Sequence, residues 1–334
     1  MVWPGPVYFP DLLPGEWDES EHPRHPRGSS RGGRFRETGG VGGWVAAVST
    51  AIRSPEQDLL DLVSGELVER APLYGGQMGA TSIVTFREPD GSRRRVVHKD
   101  YSRGPAGTAG QRASIAKEVL ANRIGQILGA RAPVAIVDPD NDAAMYMELL
   151  DGRTPMELAG GDPEVDFQNE FDEDRLDDLE QEHMRTPSGR RIGLLDLLLY
   201  HQDRHAGNWL VLTDGTAAAI DNADVILEGD GYEAAFDPLM IHWGGGSPFT
   251  GTYLDGRGDL LEIEDLSPAE AARIRARLVA LFDDPDVQRQ LMLANNSPGL
   301  LAMSHDEPLV GAKIFIDGLL RRWDAIAAMA RGAD

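Results

Sequence analysis

The sequence contains no cysteine among its 334 residues. That absence excludes disulfide bonds, thiolate nucleophiles, cysteine-ligated zinc and iron–sulfur clusters. Basic residues are also scarce, since 32 Lys and Arg stand against 55 Asp and Glu and the formal net charge is −23. Such a chain lacks the basic face that phosphate backbones need, so we predict no nucleic-acid partner. Its charge is equally unsuited to docking on anionic membranes.

Long apolar runs are missing as well. The apolar stretch Gly193–Tyr200 falls far short of the roughly 20 residues that span a bilayer. Residues 1–14 lack the basic start of a secretory signal. We therefore expect no stable membrane association and a cytoplasmic location. Hydrophobic residues still make up 41% of the chain, enough for a full core, and the length suits one large domain or two lobes around a cleft.

Composition divides the chain into three parts. Residues 1–43 are rich in Pro, Gly and Arg, which predicts a flexible tail. Residues 44–149 are predicted to hold strands, a leading helix and one long helix, whereas residues 150–334 are mainly helical in pattern. Within the last part, residues 162–182 carry 11 acidic side chains against one basic side chain. This acidic insert is interpreted as a solvated, disordered loop, with two alternatives: a docking surface for a basic partner, or a segment that folds onto the arginines between residues 24 and 36.

Turn residues and apolar periodicity predict the individual elements. Ser54 is predicted to cap a helix that has Pro55 at its first position and Gln57 completing a capping box. Ser267 and Glu270 are predicted to form a second capping box. Strands are predicted at 67–73, 81–87, 93–101, 133–137 and 143–149, helices at 111–128, 190–200, 267–283 and 308–331, and a hairpin at 209–220.

The most informative stretch is the polar loop after the apolar helix of residues 190–200. It reads His201-Gln-Asp-Arg-His-Ala-Gly-Asn208, and Asp221 follows 13 residues after Asn208, beyond a hairpin. Carboxylate and amide oxygens suit Mg²⁺, so Asn208 and Asp221 are predicted metal ligands. Asp203 is predicted to orient or deprotonate a hydroxyl group. For Arg204, contact with a phosphate and pairing with nearby acidic residues both stay open.

Zinc is an alternative at the same loop. His201 and His205 lie four residues apart, a spacing that suits zinc on a helix. Gly207 and the polar residues between them favour a loop instead, and no HExxH motif is present. The sequence therefore favours Mg²⁺ over zinc.

Three upstream features complete a nucleotide site. Gly75, Gly76 and Gly79 lie in a loop between two predicted strands, where glycines let backbone N–H groups approach phosphate oxygens. Lys99 lies on the third predicted strand, and Glu118 lies on the following helix, within reach of a pair with Lys99. Taken singly, the glycine loop is also typical of an ordinary hairpin, Lys99 of a solubilising lysine on an edge strand, and Glu118 of a solvated helical glutamate. Their order along the chain is the parts list of ATP-dependent phosphoryl transfer.

On these residues the chain resembles the phosphatidylinositol 3-/4-kinase-like branch of the kinase superfamily, with the HipA-type bacterial kinases as relatives. The loop 203–208 resembles the D-R-H-x-x-N of that branch and differs from the H-R-D-x-x-x-x-N of typical protein kinases. The segments 208–211 and 219–222 are similar to those of type II phosphatidylinositol 4-kinases. The sequence departs from the family at Ala223, where the family usually has Gly. The resemblance covers roughly residues 67–250.

The resemblance implies an α+β, two-lobed protein-kinase-like fold, with a five-stranded N-lobe carrying one helix, a mainly helical C-lobe, and ATP between them. For the nucleotide, it implies that Lys99 holds phosphates and pairs with Glu118, that Gly75, Gly76 and Gly79 cover the phosphates, and that Met147 and Leu149 line the adenine pocket. For the reaction, it implies that Asp203 orients the acceptor hydroxyl and that His205 shapes the loop or handles a proton. Asn208 and Asp221 are implied ligands of Mg²⁺. We expect an ATP- and Mg²⁺-dependent phosphotransferase acting on a protein, peptide or small-molecule hydroxyl.

Other functions remain open at this point. A pseudokinase-type module that binds partners through the acidic insert would keep the same fold. A phosphatidylinositol kinase fits the resemblance, although the charge of −23 disfavours approach to an anionic bilayer. Transfer of AMP instead of a phosphoryl group is a further alternative. The presence of Lys99, Asp203 and Asp221 together favours catalysis.

Overall fold

The computed structural model describes residues 54–73, 80–102, 107–161, 171–201, 203–223, 247–254, 260–294 and 308–332. All of them belong to one unit, Arg53–Asp334. Three sequence predictions lie outside the described residues: the tail at residues 1–43, the loop with Gly75, Gly76 and Gly79, and residues 162–170 of the acidic insert. Within the described part, the fold is α+β.

Five strands form an antiparallel sheet behind a leading helix. Helix α1 is Pro55–Val63, and the strands are β1 Glu66–Pro72, β2 Ala80–Arg87, β3 Arg93–Asp100, β4 Ala135–Asp138 and β5 Asn141–Glu148. The strand order is β1-β2-β3-β5-β4. The sequence predicted all five strands to within a few residues. Strand β3 lies inside the sheet, paired with β2 on one side and with β5 on the other.

Helix α2, Gly107–Leu128, crosses between β3 and β4. It begins at Gly107 rather than at the predicted Gln111, so the helix includes one further turn, Gly107-Thr-Ala-Gly110, of weak helix propensity. It stops as predicted before Gly129, whose φ of 81° is the left-handed conformation that glycine adopts at helix ends.

Helix α2 is buried on two sides. Ile115 and Val119 pack against the sheet, whereas Leu120 and Ile124 belong to a second and larger cluster formed with the remaining helices. A helix that is apolar over most of its circumference is a central element of its fold. Helix α2 therefore connects the sheet to the helical part of the chain, and its position sets the spacing between them.

Helix α1 covers the other face of the sheet. Leu59 and Leu62 pack against apolar residues of β2 and β3. Ser54 caps the helix as predicted and accepts from the N–H of Gln57 at 3.2 Å. Only this half of the predicted capping box is present, and the amide nitrogen of Gln57 donates to Asp61, one turn further on, at 2.7 Å.

The rest of the chain is mostly helical and carries one small sheet. The elements are β6 Gly152–Arg153, α3 Pro155–Leu158, α4 Glu173–Met184, α5 Pro187–Leu199, β7 Trp209–Leu212, β8 Ala217–Ala219, a short 3₁₀ helix Thr250–Thr252, α6 Pro268–Phe282, α7 Pro285–Ala294 and α8 Pro308–Ala328. Strands β6, β7 and β8 form an antiparallel three-stranded sheet. None of the helices in the described ranges is long and apolar enough to cross a membrane.

Helix α4 corrects the interpretation of the acidic insert. Residues 173–182 of the insert are helical, so the prediction of a disordered loop is wrong for this part. Asp172 caps the helix by accepting from the N–H of Arg175 at 2.9 Å. Acidic residues in the first turn stabilise the helix because they lie at the positive end of its dipole. Leu179 and His183 are the buried residues that attach α4 to the core.

The second predicted capping box is also incomplete. Ser267 caps α6 by accepting from the N–H of Glu270 at 3.1 Å. The carboxylate of Glu270 pairs with Arg191 of α5 at 2.8 Å, rather than with the N–H of the cap. The side chain thus joins two helices instead of closing one helix end.

Helix α5 packs closely on the segment that contains the 3₁₀ helix. A Cβ atom at Gly193 would lie 2.5 Å from the carbonyl oxygen of Phe249 and 2.9 Å from the ring of Tyr253. No Cβ atom fits at such a distance from backbone, so glycine is required here by contact rather than by conformation. At Gly251, in the 3₁₀ helix itself, an added Cβ would meet nothing within 4 Å.

We predict that Gly193→Ala destabilises the protein by about 1–3 kcal/mol, the usual range for overpacking a core. In an isolated helix the substitution would be stabilising by ~1 kcal/mol. A decrease in the free energy of unfolding therefore shows that the close contact outweighs helix propensity. Urea denaturation measures it, and Gly251→Ala is the control, with an expected change within ~0.5 kcal/mol. A stabilising Gly193→Ala would contradict the observed packing.

Candidate active site

Lys99 projects from β3 toward α2, and two carboxylates share its ammonium group. The Nζ atom lies 2.8 Å and 3.1 Å from the two carboxylate oxygens of Glu118 and 2.8 Å from Oδ1 of Asp221. The side chain of Glu118 is 0% exposed, that of Lys99 is 13% exposed and that of Asp221 is 47% exposed. The predicted contact between Lys99 and Glu118 is present. Its extension to Asp221 was not predicted.

The three groups change one another's protonation. Burial opposes the charge of Lys99, but the carboxylates of Glu118 and Asp221 outweigh it and raise the pKa of Lys99 above its ordinary value. Burial raises the pKa of Glu118 to about 7, against the opposing effect of Lys99. Burial also acts to raise the pKa of Asp221, yet the charge of Lys99 outweighs it and the pKa is lowered. Lys99 and Asp221 therefore stay ionised at neutral pH.

The loop between α5 and β7 holds its own polar side chains in place. The amide nitrogen of Asn208 donates to the carbonyl oxygen of Asp203 at 2.6 Å, and it lies 3.3 Å from the carboxylate of the same residue. These contacts use the amide nitrogen of Asn208 and not its amide oxygen. The side chain of Asp203 is 50% exposed, so its carboxylate is accessible to a substrate.

His205 shapes this loop. Its Nδ1 accepts from the N–H of Gly207 at 2.9 Å, and its Nε2 lies 3.8 Å from the carboxylate of Asp203. The ring therefore bends the chain between Asp203 and Asn208 and lies beside the exposed carboxylate. The sequence left two roles open for His205, shaping the loop and handling a proton. The hydrogen bond with Gly207 corresponds to the first of them.

Arg204 is fully buried and anchors the loop from inside. Its guanidinium group forms a two-pronged contact with Asp196 of α5, at 2.8 and 3.1 Å. It also donates to the carbonyl oxygens of Asn208 and Ile220, each at 2.7 Å, and to the side-chain oxygen of Asn222. Of the two alternatives for Arg204, pairing with an acidic residue is the one present. A phosphate contact is excluded because the group is enclosed.

His201 lies on the other side of the same loop. Its Nδ1 accepts from the N–H of Asp203 at 3.2 Å, so its Nε2 is the protonated nitrogen and donates to the carbonyl oxygen of Asp221 at 3.3 Å. Burial and the nearby Arg204 lower the pKa of His201 to about 4, which keeps the ring neutral. Neither nitrogen is left to bind a metal, so the zinc alternative is wrong at this residue.

Asp221 has an unusual backbone. Its φ is 51°, in the left-handed region that few residues other than Gly, Asn and Asp adopt. Two hydrogen bonds hold this turn: Ile220 donates to the carbonyl oxygen of Asn208 at 3.1 Å, and His201 donates to Asp221. The turn directs the carboxylate toward Lys99. Conformations of this kind persist where surrounding contacts enforce them, and they cluster at functional sites.

The remaining predicted site residues have plainer surroundings. Met147 is buried in the cluster that joins the sheet to α2, and Leu149 packs against the same cluster while partly buried. Within the described residues, no three His, Asp or Glu side chains are grouped as they would be in a site built only from those ligands. The structure thus brings together Lys99, Glu118 and Asp221, and separately Asp203, His205 and Asn208, joined through Arg204.

Two residues of the site were missed from sequence. Asp196 holds Arg204, and Asn222 accepts from it. A signal for Asp196 was present, since it is the lone charge in the apolar run 192–200 and a buried carboxylate needs a partner. No comparable signal existed for the side chain of Asn222, because asparagine is ordinary in turns.

Comparison with known proteins leaves the site to be interpreted from its geometry. No protein-family model matches the chain, and no curated protein matches it either. What the arrangement can do follows from its groups: a fixed ammonium for anionic oxygens, oxygen ligands for a hard cation, and an exposed carboxylate for a hydroxyl proton.

We predict that Arg204→Met destabilises the protein by about 3–5 kcal/mol, because it leaves Asp196 as a buried charge without its partner. Arg275→Met is the matched control. Arg275 pairs with Asp324 at 2.6 Å, but both side chains are about half exposed, so its loss should change stability by ~0–1 kcal/mol. Urea denaturation of both variants checks this. Equal effects would contradict the anchoring role of Arg204.

We also predict a pH dependence that comes from Glu118. The folded protein retains the proton of Glu118 up to about pH 7, whereas the unfolded chain releases it near the ordinary pKa of 4.5. The free energy of unfolding of the wild type, relative to Glu118→Gln, should therefore fall as pH rises through this window. Urea denaturation at several pH values measures the difference. The control Glu66→Gln, which removes an exposed carboxylate, should keep the wild-type profile, and a difference that grows with pH would contradict the shift.

Proposed function

We propose that the chain is an ATP- and Mg²⁺-dependent phosphotransferase with a two-lobed, protein-kinase-like fold, similar to the phosphatidylinositol 3-/4-kinase-like branch. It transfers a phosphoryl group to a hydroxyl of a protein, peptide or small molecule. The observation that carries the proposal is the ammonium of Lys99 held between Glu118 and Asp221. A lysine on an inner strand, a glutamate on the crossing helix and an aspartate after a distant hairpin are the parts that phosphoryl transfer requires in kinases.

The topology supports the proposal. A five-stranded antiparallel sheet with one helix between its third and fourth strands agrees with the N-lobe that the resemblance implies. The chain then continues into helices, and Asp203, Asn208 and Asp221 flank the β7–β8 hairpin. In the proposed arrangement, the nucleotide lies between the sheet and this hairpin.

The oxygen atoms at the site fit Mg²⁺. Asn208 presents an amide oxygen and Asp221 a half-exposed carboxylate, and Mg²⁺ prefers a few protein oxygens completed by water and substrate phosphates. Asn208 and Asp221 would hold the ion. When bound, Mg²⁺ supplies positive charge that offsets the negative charge developing on the phosphoryl oxygens.

Lys99 supplies the second positive charge. An ammonium group has three N–H donors, and here two oxygens of Glu118 and one of Asp221 lie within hydrogen-bond distance of it. A phosphate oxygen would therefore take the place of one of these carboxylate contacts. Glu118 is fully buried and fixes the ammonium from behind. Because Lys99 is already oriented before substrate binds, little reorganisation is needed during reaction, which is how preorganised charges lower a barrier.

Asp203 acts on the acceptor. Its exposed carboxylate accepts a hydrogen bond from the attacking hydroxyl and aligns the oxygen for in-line attack. It receives the proton as the new bond to the γ-phosphorus forms and the bond from that phosphorus to the departing ADP breaks. Asn208 fixes the backbone of Asp203 through its amide nitrogen and offers its oxygen to the metal. One side chain would therefore contact both the metal and the residue that orients the hydroxyl.

A basic protein or peptide is the proposed acceptor class. Helix α4 exposes most of its acidic side chains, and a surface of one sign of charge steers a partner of the opposite sign. The net charge of −23 disfavours an inositol lipid in an anionic bilayer. A small-molecule hydroxyl is the second choice within the same reaction.

The test is transfer of label from γ-labelled ATP by the purified full chain with Mg²⁺, alone and with cell lysate. We predict that Asp221→Asn and Asp203→Asn each lower turnover by at least roughly 10²-fold while the circular dichroism spectrum stays unchanged. Asp214→Asn, in the exposed turn of the β7–β8 hairpin, is the control and should retain full activity. Intact mass distinguishes a transferred phosphoryl group from AMP. Undiminished turnover by Asp221→Asn, or turnover that persists in EDTA, would refute the proposal.

A further inference from the structure

Helix α2 contacts the turn after β8 at two successive helical turns. Glu118 reaches it through Lys99, whose ammonium also contacts Asp221. One turn later, the side chain of Asn122 meets the side chain of Asn222: the Nδ2 of Asn222 donates to Oδ1 of Asn122 at 2.7 Å. Both asparagines are 0% exposed.

The direction of this amide contact is fixed by Arg204. A guanidinium group only donates, so the oxygen of Asn222 must face Arg204 and its nitrogen must face α2. Asn122 is therefore required to present an oxygen. A continuous chain of hydrogen bonds runs from Asp196 through Arg204 and Asn222 to α2.

The other half of the Asn122 amide carries an unusual feature. Its Nδ2 is buried and, within the described part of the chain, has no hydrogen-bond partner. A buried unpaired donor is destabilising, and native proteins contain few of them. An apolar residue at position 122 would avoid this loss among the apolar neighbours on α2. The presence of asparagine is explained if the oxygen of Asn122 is needed at the turn.

We propose that Asn122 is a positioning residue, which latches α2 to the Asp221–Asn222 turn so that Glu118 and Asp221 reach Lys99 together. This inference rests on the proposed function, because it assigns the latch to the same site. Apolar packing of Leu120 and Ile124 holds α2 close to the helical cluster but permits small rotations and shifts. The amide contact is directional and selects one rotation, the one in which Glu118 faces Lys99.

Loss of the latch should affect turnover more than nucleotide affinity. Without the Asn122 contact, only a fraction of molecules would hold Lys99, Glu118 and Asp221 in the competent arrangement. If nucleotide binds both arrangements equally, kcat falls by that fraction and KM for ATP stays nearly constant. A change in packing alone would lower the free energy of unfolding, but it would not lower kcat while leaving KM for ATP constant.

The experiment compares Asn122→Ala with Gln126→Ala in the full chain. Gln126 lies one turn further along α2 and also uses its amide, which donates to the carbonyl oxygen of Ala132 at 3.3 Å. No hydrogen bond within the described residues joins it to the Asp221 turn. Hydrogen exchange of the amides in residues 219–223, followed by mass spectrometry without nucleotide, is the first readout. We expect Asn122→Ala to accelerate exchange there roughly tenfold and Gln126→Ala to leave it unchanged.

Steady-state kinetics are the second readout. We expect kcat of Asn122→Ala to fall roughly tenfold while KM for ATP changes less than about twofold, with both parameters unchanged in Gln126→Ala. Unchanged exchange at residues 219–223 in Asn122→Ala, or equal acceleration in both variants, would overturn the latch. If the wild type consumes no ATP, the proposed function fails, and the exchange result decides the latch by itself.

A measurement on the wild type covers the case in which Asn122→Ala does not fold. In the nuclear magnetic resonance spectrum, the side-chain amide protons of Asn222 should exchange slowly and show cross-relaxation to Asn122. Fast exchange of those protons with solvent, or no contact with Asn122, would overturn the proposal.

Discussion

The guanidinium group of Arg204 lies inside the protein, and the other contacts of the site depend on it. Its charge is balanced by Asp196, whose second oxygen also accepts from the hydroxyl of Ser247 at 2.7 Å. A buried ion pair is no more stabilising than well-packed apolar residues, because both charges lose their hydration. What the pair contributes is direction: five N–H donors at fixed angles determine where two carbonyl groups and the side chain of Asn222 must lie.

Charge is distributed unevenly through the site, and the difference sets its chemistry. Arg204 and Asp196 neutralise each other in the interior. Lys99 faces two carboxyl groups, of which Glu118 is fully buried and Asp221 is half exposed. Because burial raises the pKa of Glu118 to about 7, the group of Lys99, Glu118 and Asp221 gains a net negative charge only as pH rises through neutrality. The interior therefore supplies rigidity, and Asp221 supplies the permanent negative charge at the exposed edge of the cluster.

The sequence predicts local features better than distant contacts. The strands and α2 follow from the periodicity of apolar residues. The pair of Lys99 with Glu118 follows because the two residues lie on consecutive elements of the chain. Helix α4 was missed because only Leu179 and His183 bury side chains in a strongly acidic segment, so composition concealed the pattern. The contact of Lys99 with Asp221 spans 122 positions, and only the folded topology brings these residues together. Asp196 was detectable in principle, since a lone charge in an apolar helix requires a partner.

The left-handed backbone of Asp221 places two independent demands on one position. The φ of 51° restricts the residue to Gly, Asn or Asp without strain, and Lys99 requires a negative charge at the same place. Aspartate is the only amino acid that meets both demands. Glutamate would keep the charge and lose the favoured turn, whereas asparagine and glycine would keep the turn and lose the charge. Position 221 is thus restricted on two independent grounds, and asparagine is the substitution that separates electrostatics from backbone shape.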